Sequence, residues 1–470
     1  MAEYDFVIIG GGAGGFAGAI KASELGARVA IIVSKRLPLG GTCVNVGCVP
    51  SKFVIEAAEL YHKGGAANPY TGILLKQGKA DYGALVSQKN KLVLNFRKEK
   101  YINVIKGTPN VHFFEGDAEF ISPHEVLVNK KKRIRGHNFL IATGSRSAVP
   151  PIKGLNKVKY LTNIEALELR KLPKSMVVIG GGYIGVELGQ AFAHLGTKVT
   201  ILQRGPRILA REEPPIQETL KQYLEAEGID THVNTDVLEV RKQGKKKMVI
   251  AKVNGKQKQF VADELLVATG RAPNTEDLHV ENTGVKTDDK RRIVVDNYQR
   301  TNVKHIWAAG DCTNQIMLET VAARGGAIAV ENALRNTKKT IDFNAVPHAI
   351  FTIPNVASVG MLEEDIQKAG IRCSCRVLPL TAVAKAYIFG DTRGFIKINI
   401  NADTEEILGV HMIGIFAAEV IHEATVLVKN KMKLDDIINM THIFPTMCEA
   451  IKLCAQSFKR DLSKMSCCVE

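Results

Sequence analysis

An α/β fold is predicted, with two βαβ units followed by an α+β region, and three observations predict it. Two stretches are near repeats, "YDFVIIGGGAGGFAGAIKASELGARVAIIV" and "SMVVIGGGYIGVELGQAFAHLGTKVTILQ". After each comes an apolar run ending in Ala-Thr-Gly, in "FLIATGSRSAVP" and "LLVATGRAPNT". From about Phe343 the pattern changes to strand-like runs, "HAIFTIP", "GFIKINI" and "ILGVHMIG", and then to helices from Ala417 onward.

The first repeat reads as an apolar strand, a glycine turn, a helix with small residues on one face and a second apolar strand. Gly10, Gly12 and Gly15 have the G-x-G-x-x-G spacing, and Gly180, Gly182 and Gly185 repeat it. Such glycines tighten the turn and let backbone N–H groups approach a pyrophosphate at the helix N-terminus. One motif of this kind is weak. Two, each between strand and helix, predict two Rossmann-like dinucleotide-binding domains.

Next comes "GGTCVNVGCVPSK", a Gly-rich turn leading into a helix. Pro50 suits the first helical turn, so Cys48 falls near a helix N-terminus, where the dipole favours a thiolate. Cys43 lies close enough for a disulfide if the segment bends. A structural thiol pair and half a zinc site are the alternatives, and no other Cys or His pair has matching ligand spacing. Farther on, "TNVKHIWAAGDCT" ends an apolar strand at Asp311, an acid able to accept a hydrogen bond from a ribityl or ribose hydroxyl. The resulting division is 1–147 for the first dinucleotide domain, 148–271 for the second, 272–341 for a return to the first, and 342–470 for the last domain.

Composition narrows the function. The chain has 470 residues, ordinary apolar and charged fractions, and a net charge of +15. Its lysines are scattered, with dense spots at "NKKKRIRG" and "KQGKKKMVI" that read as solvated hairpins between strands. Nucleic-acid binding is therefore not expected. Attraction of anionic ligands is. No apolar run is long enough to span a membrane. "MAEYDFVIIGGG" enters a strand at once, which predicts no targeting segment and a cytoplasmic protein. Nine cysteines then read as thiols, metal ligands or redox centres.

The order and wording of these motifs resembles the flavoprotein disulfide reductases over essentially the whole chain. That resemblance implies FAD at the first glycine turn, a nicotinamide at the second, and a homodimer with active sites shared between subunits. It implies that Cys48 is the charge-transfer thiol against the flavin and Cys43 the interchange thiol. Lys52 would sit by the flavin, paired with Glu187, and Tyr183 would cover the nicotinamide pocket. The cofactor-binding set so implied is Gly10, Gly12, Gly15, Ser34, Gly41, Thr42, Lys52, Ala118, Thr143, Gly144 and Asp311, with Gly180, Gly182, Tyr183, Gly185, Glu187, Gln203, Arg204, Arg207 and Gly270.

The residue after the second strand of each unit reads the ribose 2′ position. The same offset lands on Val33 and on Gln203. Gln203 replaces the acid usual for NAD, and Arg204 and Arg207 follow, which suits the 2′-phosphate of NADPH. Val33 departs from the family's usual Glu, and Ser34 is a possible substitute.

Family members acting on organic disulfides carry His-Pro followed by a glutamate, and that histidine moves protons at substrate thiols. Here "HIFPTMCEAIK" has Phe444 at that position, with Glu449 kept and His442 two residues away. The chain ends "SCCVE". The mercuric reductase branch resembles it in both features. By that resemblance Cys467 and Cys468 collect Hg(II) from small-molecule thiols and hand it to Cys43 and Cys48 of the other subunit, so all four are metal ligands. Cys373 and Cys375, in "IRCSCRV", point the same way if extended and read as strand residues, with soft-metal binding the alternative. Cys448 and Cys454 read as core, and Cys312 as packing. The rival function is a large thioredoxin reductase-like enzyme, or another disulfide reductase, with the tail pair as a shuttle. A non-enzymatic thiol-rich metal sequestering protein is the third reading.

Overall fold

The computed structural model describes residues 3–65, 68–73, 75–76 and 78–461. Strand β1 (Glu3–Ile9), helix α1 (Ala13–Glu24) and strand β2 (Val29–Val33) form the first βαβ unit. The chain continues through helices α2 (Gly41–Val46) and α3 (Cys48–Lys63). It then forms strands β3 (Val111–Glu115), β4 (Ala118–Ser122), β5 (Glu125–Val128) and β6 (Lys132–Ile141). The sheet order is β3-β2-β1-β6-β5-β4. β1 runs parallel to both β2 and β6, with Ile9 beside Ile32 and Ile141. Phe6, Val7 and Ile8 are fully buried because both faces of the parallel part are covered.

The second unit repeats this plan with β7 (Ser175–Ile179), α4 (Tyr183–His194) and β8 (Lys198–Leu202), then α5 (Pro214–Ala226) and β9 (Asp230–His232). A meander of β10 (Thr235–Gln243), β11 (Lys246–Val253) and β12 (Lys256–Ala262) leads into β13 (Glu264–Val267). The parallel order is β9-β8-β7-β13. The two lysine-dense segments are hairpins, one closing β5 on β6 and the other β10 on β11.

The chain then returns to the first domain. β14 (Ile306–Ala308) pairs parallel with β6, and α6 (Glu319–Arg335) packs on α1. The helices touch through glycine: a Cβ on Gly326 would lie 1.9 Å from the Gly14 carbonyl oxygen. This close approach fixes where the α6 N-terminus points.

The last domain is a five-stranded antiparallel sheet. Its strands are β15 (His348–Ile350), β16 (Asn355–Gly360), β17 (Cys373–Pro379), β18 (Phe395–Asn401) and β19 (Ile407–Gly414), in the order β15-β16-β19-β18-β17. Helix α7 (Glu363–Lys368) joins β16 to β17. One face of the sheet packs Leu378, Ile396, Ile398 and Met412 with residues of α8 (Ala417–Lys429) and α9 (Glu449–Gln456). The other face meets the acids before α5 through Ser358, Lys397 and Asn399, and its apolar residues Val356, Phe395 and Ile413 join the core that includes α4. Among the described residues, no helix is long and apolar enough to cross a membrane.

Candidate active site

The segment from Gly41 to Val46 is expected as a turn but folds as α2. Asn45 ties it down, its amide donating to the carbonyls of Pro38, Leu39 and Gly41. Gly40 and Gly41 have φ of +93° and +56°, and a Cβ on Gly41 would lie 2.5 Å from Gly12 Cα, so α2 rests on the first glycine turn. Gly47 then breaks the helix, and a Cβ there would lie 2.8 Å from the Thr42 carbonyl oxygen. The bend sets Cys43, inside α2, against Cys48, the first residue of α3, with Pro50 in the first turn.

Both cysteines are free thiols. The Cys43 thiol hydrogen bonds to Cys48 and, against the opposing cost of burial and with help from the Lys52 ammonium, lowers Cys48 to about 7. The same hydrogen bond, burial and the neighbouring Cys48 charge push the Cys43 thiol up. One proton is thus shared unequally, and Cys48 carries the negative charge above about pH 7.

Lys52 Nζ donates to Glu187 Oε2 at 2.7 Å, joining α3 to α4. Glu187 is 7% exposed, and its other oxygen accepts from the Phe351 backbone N–H at 2.8 Å. The Phe351 ring lies 4.7 Å from the ammonium. At the far ends of the same two helices, His62 stacks on His194 at 4.0 Å. The pair of helices is therefore fixed at both ends.

Tyr183, the first residue of α4, donates from its hydroxyl to Glu212 Oε1 at 3.0 Å and stacks against His348 at 6.2 Å. Glu212 is buried and also bonds His348 Nε2 and Ser358 Oγ, each at 2.8 Å. Burial alone would raise this carboxyl, and the hydrogen bonds from His348, Ser358 and Tyr183 hold it below the usual range. Burial and the adjacent Glu212 charge push the Tyr183 phenol up. Gln203 follows β8, and its side-chain oxygen accepts from the Gly181 N–H at 2.9 Å. Arg204 is exposed, and Arg207 lies 3.9 Å from Glu218.

The residues present fit two dinucleotides. Gly10 and Gly180 are required by packing, since a Cβ on them would strike the carbonyl of Ala142, just past β6, at 2.1 Å and that of Ala268, just past β13, at 2.3 Å. Gly182, Gly144 and Gly270 face open space, where a Cβ would meet nothing within 4 Å. They leave the backbone accessible to a ligand. Among the described residues Thr143 Oγ1 is buried with no well-aligned hydrogen-bond partner, which suits it to a cofactor atom. Asp311 accepts from Ser145 Oγ at 2.6 Å and lies 3.6 Å from Arg271 Nε. Val33 is buried beside Gly11, while the Ser34 hydroxyl is engaged with Asp117 Oδ1 at 2.5 Å. Ala118 opens β4 immediately after that aspartate.

In the last domain Phe444 is 54% exposed. His442 is buried away from it, with Nε2 on Glu423 Oε1 at 2.7 Å and Nδ1 on the Met440 carbonyl. Both ring nitrogens are used in local structure, so His442 does not replace the missing base. Glu449 begins α9, its Oε2 is buried without a partner among the described residues, and burial raises its carboxyl. Cys454 and Cys312 are buried. Cys448, expected in the core, packs half-buried against it from the position just before α9. Cys467 and Cys468 lie outside the described residues.

Sequence reasoning missed Glu319. It is the first residue of α6, its carboxyl is raised by burial, and its charge acts on both Cys43 and Cys48. Tyr101 belongs to the same surroundings, its phenol pushed up to about 12 by burial and by Cys43. Neither residue has a local sequence signal, because distant elements bring them in: α6 packs on α1 to place Glu319, and the helical segment Lys98–Ile102 sets Tyr101 against Phe16 of α1 at 4.6 Å.

Residues 4–326 match the family model described as pyridine nucleotide-disulphide oxidoreductase, and residues 346–455 match that of its dimerisation domain. The chain is similar to curated proteins named mercuric reductase. It is 41% identical to that of Staphylococcus aureus, covering 99% of this chain and 84% of the relative. It is 40% identical to that of Streptomyces lividans, covering 99% and 98%. Among solved structures it resembles a Cu(II) complex of the HOCl-induced flavoprotein disulfide reductase RclA from Escherichia coli. That match has a TM-score of 0.87 and 29% identity over 97% of this chain and 100% of the other.

Proposed function

The chain belongs to the pyridine nucleotide-disulphide oxidoreductase family, an enzyme family working with a flavin and a pyridine nucleotide, and from that premise we propose that it reduces Hg(II) to Hg(0) with NADPH and FAD. A flavin at the first glycine turn would take a hydride from the nicotinamide and pass its electron pair first to a Cys43–Cys48 disulfide, opening it to the dithiol, and after a second hydride to the metal held by that dithiol, chemistry that no side chain performs alone.

This chain's residues do the rest. Cys43 stabilises the Cys48 thiolate by hydrogen bonding, and Lys52 adds a positive charge. Glu187 holds Lys52 in place. Hg(II) arrives as a bis-thiol complex, exchanges its ligands for Cys43 and Cys48, and departs as Hg(0) once two electrons from NADPH reach it. Both protein thiolates remain. Gln203, without charge, leaves the 2′-phosphate unopposed, and Arg204 and Arg207 attract it. Cys467 and Cys468 serve as the collecting pair for the partner subunit, with the last domain forming the homodimer.

One observation carries this reading. The position of the proton-moving histidine holds Phe444, and the nearest substitute, His442, is consumed by Glu423 and Met440. Exchange onto a soft metal ion needs thiolates rather than a base aimed at a leaving organic thiol. The test is NADPH oxidation by the holoenzyme with excess small thiol, with and without Hg(II), together with trapping of elemental mercury vapour. Mercury-dependent oxidation with vapour release is expected. Oxidation indifferent to Hg(II) but driven by thioredoxin or a small disulfide would overturn the proposal.

A further inference from the structure

β17 is an edge strand, paired within the sheet only to β18. Cys373 lies opposite Asn401 and Cys375 opposite Asn399. Being two residues apart, both thiols stand on one face of the sheet. That face is the one shared with Lys397 and Asn399. Both cysteines are half-buried free thiols. Cys375 Sγ lies 3.8 Å from Glu363 Oε2, and the Lys397 ammonium donates to the same oxygen at 2.5 Å. Lys397 also bonds Glu213 Oε2 at 2.9 Å.

The spacing selects one chemistry over another. Same-face neighbours on a strand are about 6.6 Å apart, whereas disulfide Cβ atoms need about 3.5–4.5 Å. Cys373 and Cys375 therefore resist closing on each other. A linear two-coordinate ion sets its sulfurs about 4.6 Å apart, taking metal–thiolate bonds of about 2.3 Å. Two side chains leaning together can meet that separation. Zinc would want four ligands, and the nearby Glu363 carboxylate is already engaged by Lys397. Burial and the Glu363 charge raise both thiols, so without metal they stay protonated.

We propose that Cys373 and Cys375 form a separate binding site for a soft two-coordinate metal ion, Hg(II) above all, away from the reducing pair. The inference extends the reading that Hg(II) reaches this enzyme as a thiol complex. Loading is ligand exchange without redox change. Two metal–sulfur bonds to small thiols break, two form to Cys373 and Cys375, and the two protein protons leave on the departing thiols. Glu363 orients the Cys375 thiol, and Lys397 keeps that carboxylate in position.

The test uses the full chain, FAD-loaded, as the variant C43S/C48S/C467A/C468A. It is treated with Hg(II) in twofold excess small monothiol and then desalted. Expected is about one retained ion per chain, with ultraviolet thiolate-to-mercury absorption. Adding either C373S or C375S should cut retention at least about tenfold, because two-coordinate binding needs both sulfurs. The single variants also guard against a double variant that fails to fold, and unchanged FAD content and melting temperature verify folding. No retention in the parent, or retention indifferent to C373S and C375S, would overturn the site. Mercury-dependent NADPH oxidation by the unmodified enzyme is scored separately. Its failure would overturn the reductase reading and leave this binding result standing.

Discussion

Cys48 is acidified chiefly by one hydrogen bond and secondly by one cation, and those two causes can be ranked by substitution. Alkylation of Cys48 in the reduced enzyme should rise through an inflection near pH 7 rather than near 9, since the reactive thiolate is lost as pH falls through the lowered value. Cys43→Ala should move that inflection upward more than Lys52→Met does. The opposite ranking would reassign the main cause. In the reduced holoenzyme, Cys48→Ser should abolish long-wavelength thiolate–flavin absorption, and Cys43→Ser should preserve it. If the two behave in reverse, the roles are exchanged. At the second glycine turn, Arg204→Glu with Arg207→Glu should weaken NADPH far more than NADH. Each lost charge-assisted bond is worth about 1.5–3 kcal/mol, or at least about tenfold in affinity. Equal losses for both cofactors would mean that these arginines do not read the 2′-phosphate.

Elements whose identity depends on local pattern were legible, and contacts between distant elements were not. The G-x-G-x-x-G turns announce themselves because Gly10 and Gly180 have no space for a side chain. Cys48 at a helix start is readable from Pro50 and the glycines before it. By contrast, α2 reads as a turn in the sequence, since the Asn45 bonds that hold it as a helix have no signature. β16 has no such signal, being a short run bounded by Pro354 and Gly360, whereas Cys373 and Cys375 of β17 read as strand residues and are so. The partnership of Glu212 with His348, 136 residues apart, has no sequence signal at all. The neighbouring acid makes a test of such contacts. Glu213 is 1% exposed and meets Lys397, Asn399 and the Glu363 backbone N–H. Lys397→Met should destabilise the chain by about 3 kcal/mol in denaturant unfolding, because a buried carboxylate loses its cation. Glu213→Gln together with Lys397→Met should recover part of that loss. A loss under about 0.5 kcal/mol would show that the remaining hydrogen bonds suffice.

At the scale of the whole molecule, the proposed hand-off between subunits makes a prediction about mixed dimers. A dimer pairing a chain without Cys467 and Cys468 with a chain without Cys43 and Cys48 has one intact tail and one intact reducing pair, on different subunits. It should keep turnover when Hg(II) is held by a bulky dithiol. A dimer with both intact features on one subunit should fail, and the reverse result would show delivery within a chain. The buried acids at the start of α5 bear on a different question. Glu212 and Glu213 belong to the nucleotide-binding region, yet apart from Tyr183 their side-chain partners, His348, Ser358, Lys397 and Asn399, come from the last domain. The last domain is therefore not an interchangeable module. A chimera that grafts a relative's C-terminal third onto this chain would strand two carboxylates at the junction unless the graft also transplants the residues facing them. Recombination breakpoints that produce folded hybrids should lie where these six residues travel together.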